Sequence, residues 1–501
     1  MYRDFNHRFI LRITGALLLF ESAFLLTAVL VSWYYSEMQE ITFLSSAGIS
    51  ALAGGLAMVL GRNANPVIGR REGSVIVTSI WLVFSAVGML PYLISGSIPS
   101  VTDAFFETMS GFTTTGASIL NNIEAHPYSI LYWRSLTQWI GGLGIIVISM
   151  ALLPIFGFSS VQLFSAEATG PTKDKIHPKM SETAKRLLAI YIVLTIAEFL
   201  LLKVAGMGWF DAMNHAFTTM ATGGFSTKQL SAGHWDSPFI HYILILFMFL
   251  AGVNFTLFYF FIKRNFDKVS TNQELKFYAL IVLVFTAILA TTMAGPDTFS
   301  SVHGIEKMIR DSLFTVVSLI TTTGYGSVDY MQLEPLAWVL ALITMLIGAS
   351  AGSTAGGMKL VRVLLVVKYA YYEFKRIIHP NAVFPVRYNG SIVREDVITK
   401  VLAFILIYIL VIIIGTVVLA GSGMGFLESL GGMVTCISDV GPGLGSIGPA
   451  YSFSEIPAFS KWFLSIVMLV GRLELFTVLV IFTPVFWKKS ILKSLQYEER
   501  L

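Results

Sequence analysis

Four short stretches combine threonine, serine and glycine in a pattern suited to holding a cation. They are Thr113-Thr-Thr-Gly-Ala-Ser118, Ala221-Thr-Gly-Gly-Phe-Ser-Thr227, Thr321-Thr-Thr-Gly-Tyr-Gly326 and Ser438-Asp-Val-Gly-Pro-Gly-Leu-Gly445. Glycine reaches backbone angles closed to bulkier residues, so such a loop can aim successive carbonyl oxygens at one axis and replace an ion's hydration shell. The stretches 103–116, 211–224 and 428–441 align without gaps to 311–324, the last of the four being the most degenerate. This register nominates Thr114, Thr115 and Gly116 in the first loop and Thr222, Gly223 and Gly224 in the second. It nominates Thr322, Thr323 and Gly324 in the third, and Asp439, Val440 and Gly441 in the fourth. A single Thr-Thr-Gly reads as a flexible turn; four in register read as quarters of one site. Asp439 has two readings that remain open: a negative charge near the ion path, or a hydrogen-bonding partner behind it.

The rest of the chain has to hold these loops in place. Of its 501 residues 55% are hydrophobic and only 13% charged, with mean hydropathy +0.73, far from the ~25% charged share of a soluble globule. Apolar runs long enough for ~30 Å of hydrocarbon lie near 10–35, 41–60, 74–95, 128–153, 184–205, 238–262, 276–295, 335–372, 396–420 and 458–487. The last eight form four pairs, each bracketing one Thr/Gly loop, and the loops recur at intervals of roughly 100–117 residues. The fold expected is an all-α polytopic membrane protein: a leading helix pair, then a pseudo-fourfold repeat of span, pore helix, filter loop and span around one central pore. The expected division is 1–65 for the helix pair, then 66–160, 161–266, 267–380 (with a broken second span) and 381–501 for the four repeats. Surrounding membrane lipid is the first partner implied.

Each short segment before a loop is too brief to span, and Asp103, Asp211 and Asp311 read as N-caps. A helix dipping in from outside would turn its negative C-terminal end toward a cation at the centre. Basic residues collect in every second connection, at Arg3/Arg8/Arg12, Arg62/Arg70/Arg71, 173–186, 263–276, 368–400 and 488–500. By the positive-inside rule these connections are cytoplasmic, both termini lie inside, and the four loops enter from the outer face. The net charge of +4 is spread over these connections and gives no nucleic-acid patch.

Two intramembrane features ask for a role. Gly348-Ala-Ser-Ala-Gly352-Ser-Thr-Ala-Gly356-Gly357, followed by Lys359, interrupts a long span; its small residues serve either close helix packing or a break that closes the path. Arg472 lies deep in the last span, where a charge costs at least ~2.5–3.5 kcal/mol on insertion scales. It is either an electrostatic barrier to cations or a structural donor to loop carbonyls or a distant carboxylate. Glu474, at i+2, faces elsewhere. Gln138 and the Gly141-Gly142-Leu-Gly144 run suggest packing, and Glu21, Glu198 and Lys203 suggest interhelical polar pairs. The lone Cys436 reads as a small buried residue. No nucleotide-binding, metal-cluster or nucleophile motif appears, so neither an enzyme nor an organic cofactor is expected.

The four motifs, the leading helix pair and the single-chain fourfold plan resemble the TrkH-type subunits of the Trk/Ktr/HKT superfamily of K⁺ transporters, over essentially the whole length. TTGYG at 322–326 is also a near match to the filter of K⁺ channels. The resemblance implies uptake of K⁺, the transported ion, across a bacterial inner membrane through carbonyls around Gly116, Gly224, Gly324 and Gly441. It also implies a gate built from the glycine-rich segment and Arg472, a homodimer, and a cytosolic nucleotide-binding regulator of the TrkA type. A glycine at 116 resembles the K⁺-conducting form. The alternative is an H⁺- or Na⁺-coupled potassium symporter, since such folds also carry repeats and broken helices.

Overall fold

Helices dominate the computed structural model, which describes residues 6–63, 70–151, 180–295 and 298–487. The basic residues 173–179 and 488–500 lie outside the described residues. Among those described, strands are confined to a hairpin pairing Arg387–Tyr388 with Ser391–Ile392. Asn389 and Gly390, both at positive φ, form its turn, as two-residue hairpin loops require.

The leading pair, His7–Tyr35 and Glu40–Leu60, packs through small residues. A Cβ on Gly15 would lie 2.6 Å from the Gly54 carbonyl oxygen, and one on Gly54 2.8 Å from that of Gly15. Such closeness lets Ser22 and Ser50 donate across the pair to the Ala47 and Leu18 carbonyls, at 2.9 and 2.8 Å. Where the hydrophobic effect cannot drive helices together, small residues and hydroxyl bonds do. The outer face of the second helix carries exposed Leu52, Leu56 and Val59.

Six helices among the described residues are long and apolar enough to cross a membrane, and two sharply bent pairs raise the number to eight. The ten expected segments also include the helix Tyr128–Ala151 and an interrupted pair, Pro335–Ile347 and Leu360–Ile378. The chain is a multi-pass, all-α membrane protein. Only the interruption at 348–359 was foreseen. The segment 238–262 breaks too, bending 97° between Pro238–Ala251 and Phe255–Ile262, and 458–487 bends 111° after Arg472. Gly252 ends one helix and the Asn254 side chain caps the next, accepting the Thr256 N–H at 2.9 Å. In the other break Glu474 and Leu475 both take positive φ.

Four helices lead into the Thr/Gly loops: Val101–Phe112, Trp209–Met220, Val302–Ile320 and Phe426–Ser438. Their N-caps are Ser100, Gly208, Ser301 and Gly425, which corrects the expected aspartates. Each helix starts upstream of its acidic residue. The Ser100 and Ser301 hydroxyls take the free amides, leaving Asp103 and Asp211 in the first turn and Asp311 inside its helix. The apolar interior falls into two large clusters. One joins the leading pair mainly to the regions of the first and fourth loops; the other spans residues 187–360.

Candidate ion-coordination site

Each loop begins with the same helix ending. Thr114, Thr222, Thr322 and Asp439 take left-handed φ of 58°, 54°, 57° and 54°, a conformation that costs a side-chain-bearing residue roughly 1–2 kcal/mol. The next amide folds back onto its helix: Thr115 to the Ser110 carbonyl, Gly223 to Thr218, Thr323 to Ser318 and Val440 to Thr435, at 2.8–3.0 Å. These closures consume loop N–H groups as a Schellman ending does, and among the described residues the carbonyls of Thr115, Gly223, Thr323 and Val440 accept no backbone N–H. The glycines two residues on, Gly116, Gly224, Gly324 and Gly441, again have positive φ, from 74° to 108°. Alternating handedness turns successive carbonyls to the same side of the strand.

The loops meet in a closed order. A Cβ on Gly116 would fall 2.1 Å from the Gly223 carbonyl oxygen, on Gly224 1.8 Å from that of Thr323, and on Gly324 1.9 Å from that of Val440. One on Gly441 would fall 2.9 Å from that of Thr115, which returns the sequence to its start. Each glycine is therefore required twice over, by its φ and by a neighbouring carbonyl. On one side a cavity is bordered by all four glycines, with Arg134 and Lys228 also in its lining.

Behind the ring, every junction between loops has a brace. Tyr325, of the third loop, bonds Thr218 and Thr219 at 2.5 and 3.1 Å. Tyr330 donates to the Gly443 carbonyl at 2.6 Å. The Thr115 hydroxyl donates to Asp439 at 2.8 Å, and the second carboxylate oxygen of Asp439 has no partner among the described residues. Between the first and second loops Gln138 bonds Gly223 and Phe225. There also Arg134 pairs with buried Glu107 at 2.6 Å and donates to the Ser226 carbonyl at 2.9 Å.

On the side of the helix C-termini the segment 348–359 lies against the ring. The Gly356 N–H donates to the Thr322 hydroxyl at 2.7 Å, and the Gly357 N–H to the Ser438 carbonyl at 2.9 Å. The Thr354 hydroxyl reaches the Met220 carbonyl at 3.1 Å. Arg472 donates to the Thr354 carbonyl at 2.7 Å and the Gly141 carbonyl at 3.3 Å, and Gly141 abuts the end of the first loop helix at Phe112. Segment and arginine together therefore touch the ends of three loop helices and reach the fourth, at Phe112, through Gly141. Gly348 packs against Gly356 and Gly357, whereas Gly352 is turned away onto Asn254. Lys359 is buried and curls back to the Ala355 carbonyl. The two unforeseen breaks belong to the same assembly: the Ser350 N–H donates to Gly252 and the Phe255 N–H to Gly352, both at 3.1 Å. Glu474 pairs with Arg362 at 2.6 Å.

Sequence reasoning gave Gln138 a packing role rather than its clamp on the second loop, and missed the tyrosine braces, Arg134–Glu107 and Arg362–Glu474. The Gly252-Val-Asn254 step was a usable signal for one break; the ion pairs join residues too far apart in sequence to show one. Buried Glu21 has no hydrogen-bond partner among the described residues, against the expected interhelical polar pair, whereas buried Glu198 lies beside the Thr219 hydroxyl of the next helix. Lys203 is exposed at a helix end, and Cys436 is free and buried as expected.

A family model described as "TrkH: Cation transport protein" matches residues 42–489. The chain is 37% identical over 487 residues to the Trk system potassium uptake protein TrkH of Escherichia coli (strain K12), covering 97% of this chain and 100% of that one. It is 32% identical to the Trk system potassium uptake protein TrkG of the same organism, covering 96% and 99%. The crystal structure of the potassium transporter TrkH from Vibrio parahaemolyticus superposes with a TM-score of 0.87 at 34% identity, covering 96% of this chain and 99% of that one.

Proposed function

The chain belongs to the TrkH family of cation transport proteins, and from that premise we propose that it is a potassium uptake transporter whose ion path runs through the ring of four loops. It is a transport protein and not an enzyme. The observation carrying the reading is the closed order of Gly116, Gly224, Gly324 and Gly441, each set against the next loop's carbonyl. K⁺ arriving from outside exchanges part of its hydration shell for the carbonyls of Thr114, Thr115, Thr222, Gly223, Thr322, Thr323, Asp439, Val440 and the four glycines. The C-terminal ends of four helices then favour the cation on the inner side.

The segment 348–359 and Arg472 form the gate of this reading. With Gly356 and Gly357 bonded to the loop helices and Arg472 bonded to Thr354, path and barrier share one set of contacts. An inside-negative potential supplies about 2.3 kcal/mol per charge per 100 mV, which drives uptake without chemistry. This reading places the protein in a bacterial inner membrane, its basic connections and both termini on the cytoplasmic side. The residues 368–400 then offer a face for the cytosolic regulator, and the assembly is a homodimer.

Gly324→Ser tests the filter. Its side chain must displace the Val440 carbonyl, so the K⁺/Na⁺ permeability ratio, read from reversal potentials in proteoliposomes, should fall by tenfold or more, roughly the cost of one unsatisfied or displaced polar contact. An unchanged ratio in correctly inserted protein would remove the assignment.

A further inference from the structure

The second loop is held differently from the first and third. In the first and third loops two threonine hydroxyls share a hydrogen bond across the turn, Thr113 with Thr115 at 2.7 Å and Thr321 with Thr323 at 2.8 Å. The second loop has Ala221 and Gly223 at those positions and so has no hydroxyl to offer. Gln138, buried in the helix Tyr128–Ala151, reaches in from the first loop's side. Its Nε2 donates to the Gly223 carbonyl at 2.7 Å, and its Oε1 accepts the Phe225 N–H at 3.0 Å.

Space points the same way. A Cβ on Gly223 would lie 2.4 Å from the Gln138 Cδ, so the carboxamide fills the volume that a side chain occupies in the other loops. Gly223 is not at positive φ; it is glycine for room, unlike Gly224 beside it. Among the described residues the carbonyls of Thr115, Thr323 and Val440 accept no hydrogen bond, while that of Gly223 accepts one.

We propose that Gln138 is a specificity-determining positioning residue: by donating to the Gly223 carbonyl it fixes that carbonyl's direction and lowers the field of one quarter of the ring. This rests on the reading of the ring as an ion filter. Discrimination in a carbonyl ring depends on the number and field strength of its dipoles. The smaller ion, more strongly hydrated, needs the stronger field to offset its dehydration. A carbonyl already sharing a lone pair with an N–H therefore disfavours Na⁺ more than K⁺.

The test is the K⁺/Na⁺ permeability ratio of the full-length protein in proteoliposomes, with monodispersity and melting temperature recorded for each variant. Gln138→Leu removes both arms of the clamp. Gln138→Glu keeps the acceptor for Phe225 and removes the donor. Both should lower the ratio by roughly fivefold, the worth of one buried hydrogen bond, and Gln138→Glu should do so with Phe225 still held. If Gln138→Leu does not assemble, Gly223→Ala provides the second route, its methyl pushing the amide off the carbonyl with Gln138 still present. Adding Gln138→Ala to it should then relieve the clash and restore the melting temperature without restoring the ratio. Gly324→Ser is the control. Selectivity lost in Gly324→Ser but kept in the Gln138 and Gly223 variants overturns the proposal alone. Selectivity kept in all of them overturns the filter reading itself.

Discussion

Asp439 carries, at the level of one residue, both sides of a choice that its sequence position leaves open. It stands where the other three loops have threonine, takes the same left-handed φ, and accepts the Thr115 hydroxyl through one carboxylate oxygen. So it does bond behind the ring. Its other oxygen is fully buried and free of hydrogen bonds among the described residues, so the negative charge is not spent on that brace. Asp439→Asn separates the two roles, because an amide oxygen can still accept from Thr115 while the charge is gone. We expect the K⁺ concentration for half-maximal uptake, measured with Rb⁺ as tracer, to rise roughly tenfold, the scale of one charge acting across several ångströms at an intermediate dielectric. Selectivity should hold, since the hydroxyl contact survives. An unchanged half-saturation would assign Asp439 to the brace alone.

On the proposed reading the gate is the 348–359 segment, and its position shows what a sequence can and cannot reveal. That the span breaks there was legible, because Gly348, Gly352, Gly356 and Gly357 accumulate within ten residues and weaken any helix. That its break is hydrogen-bonded to a second one at Gly252 was not, since Ser350 and Gly252 meet only through folding. The four loops were legible for a similar reason: their register is local and repeated. The clamp made by Gln138 was not, because its partners, Gly223 and Phe225, lie far along the chain. Arg472 was legible as costly but ambiguous between barrier and donor, and it is bonded to the segment's own Thr354 carbonyl. Those two roles are one if the bond holds the segment shut. Arg472→Ala removes the charge together with a charge-assisted bond worth about 1.5–3 kcal/mol. K⁺ flux without any regulator should therefore rise by roughly tenfold or more. A correctly inserted variant showing no rise would leave Arg472 a structural residue.

For the whole molecule the question is whether K⁺ moves alone. The four loops close a ring with a brace at every junction: Gln138 to Gly223, Tyr325 to Thr218, Tyr330 to Gly443 and Thr115 to Asp439. Alternating access requires one half of a protein to rock against the other about a central site. Here that motion would part at least two of these buried braces in every cycle, whereas parting the 348–359 segment from the ring breaks the few bonds from Gly356, Gly357, Thr354 and Arg472 and leaves the braces intact. Local opening is the smaller rearrangement, and on the proposed reading it would leave a continuous path down which K⁺ follows its own gradient. In proteoliposomes the reversal potential should accordingly shift by about 59 mV for each tenfold change of K⁺, the value for one charge per transported ion. It should stay in place when a tenfold gradient of H⁺ or Na⁺ is imposed at constant K⁺. A shift under either gradient, with the K⁺/Na⁺ ratio itself high, would mean that a second ion is carried, and the bonds across the ring would then have to be among those broken in the cycle.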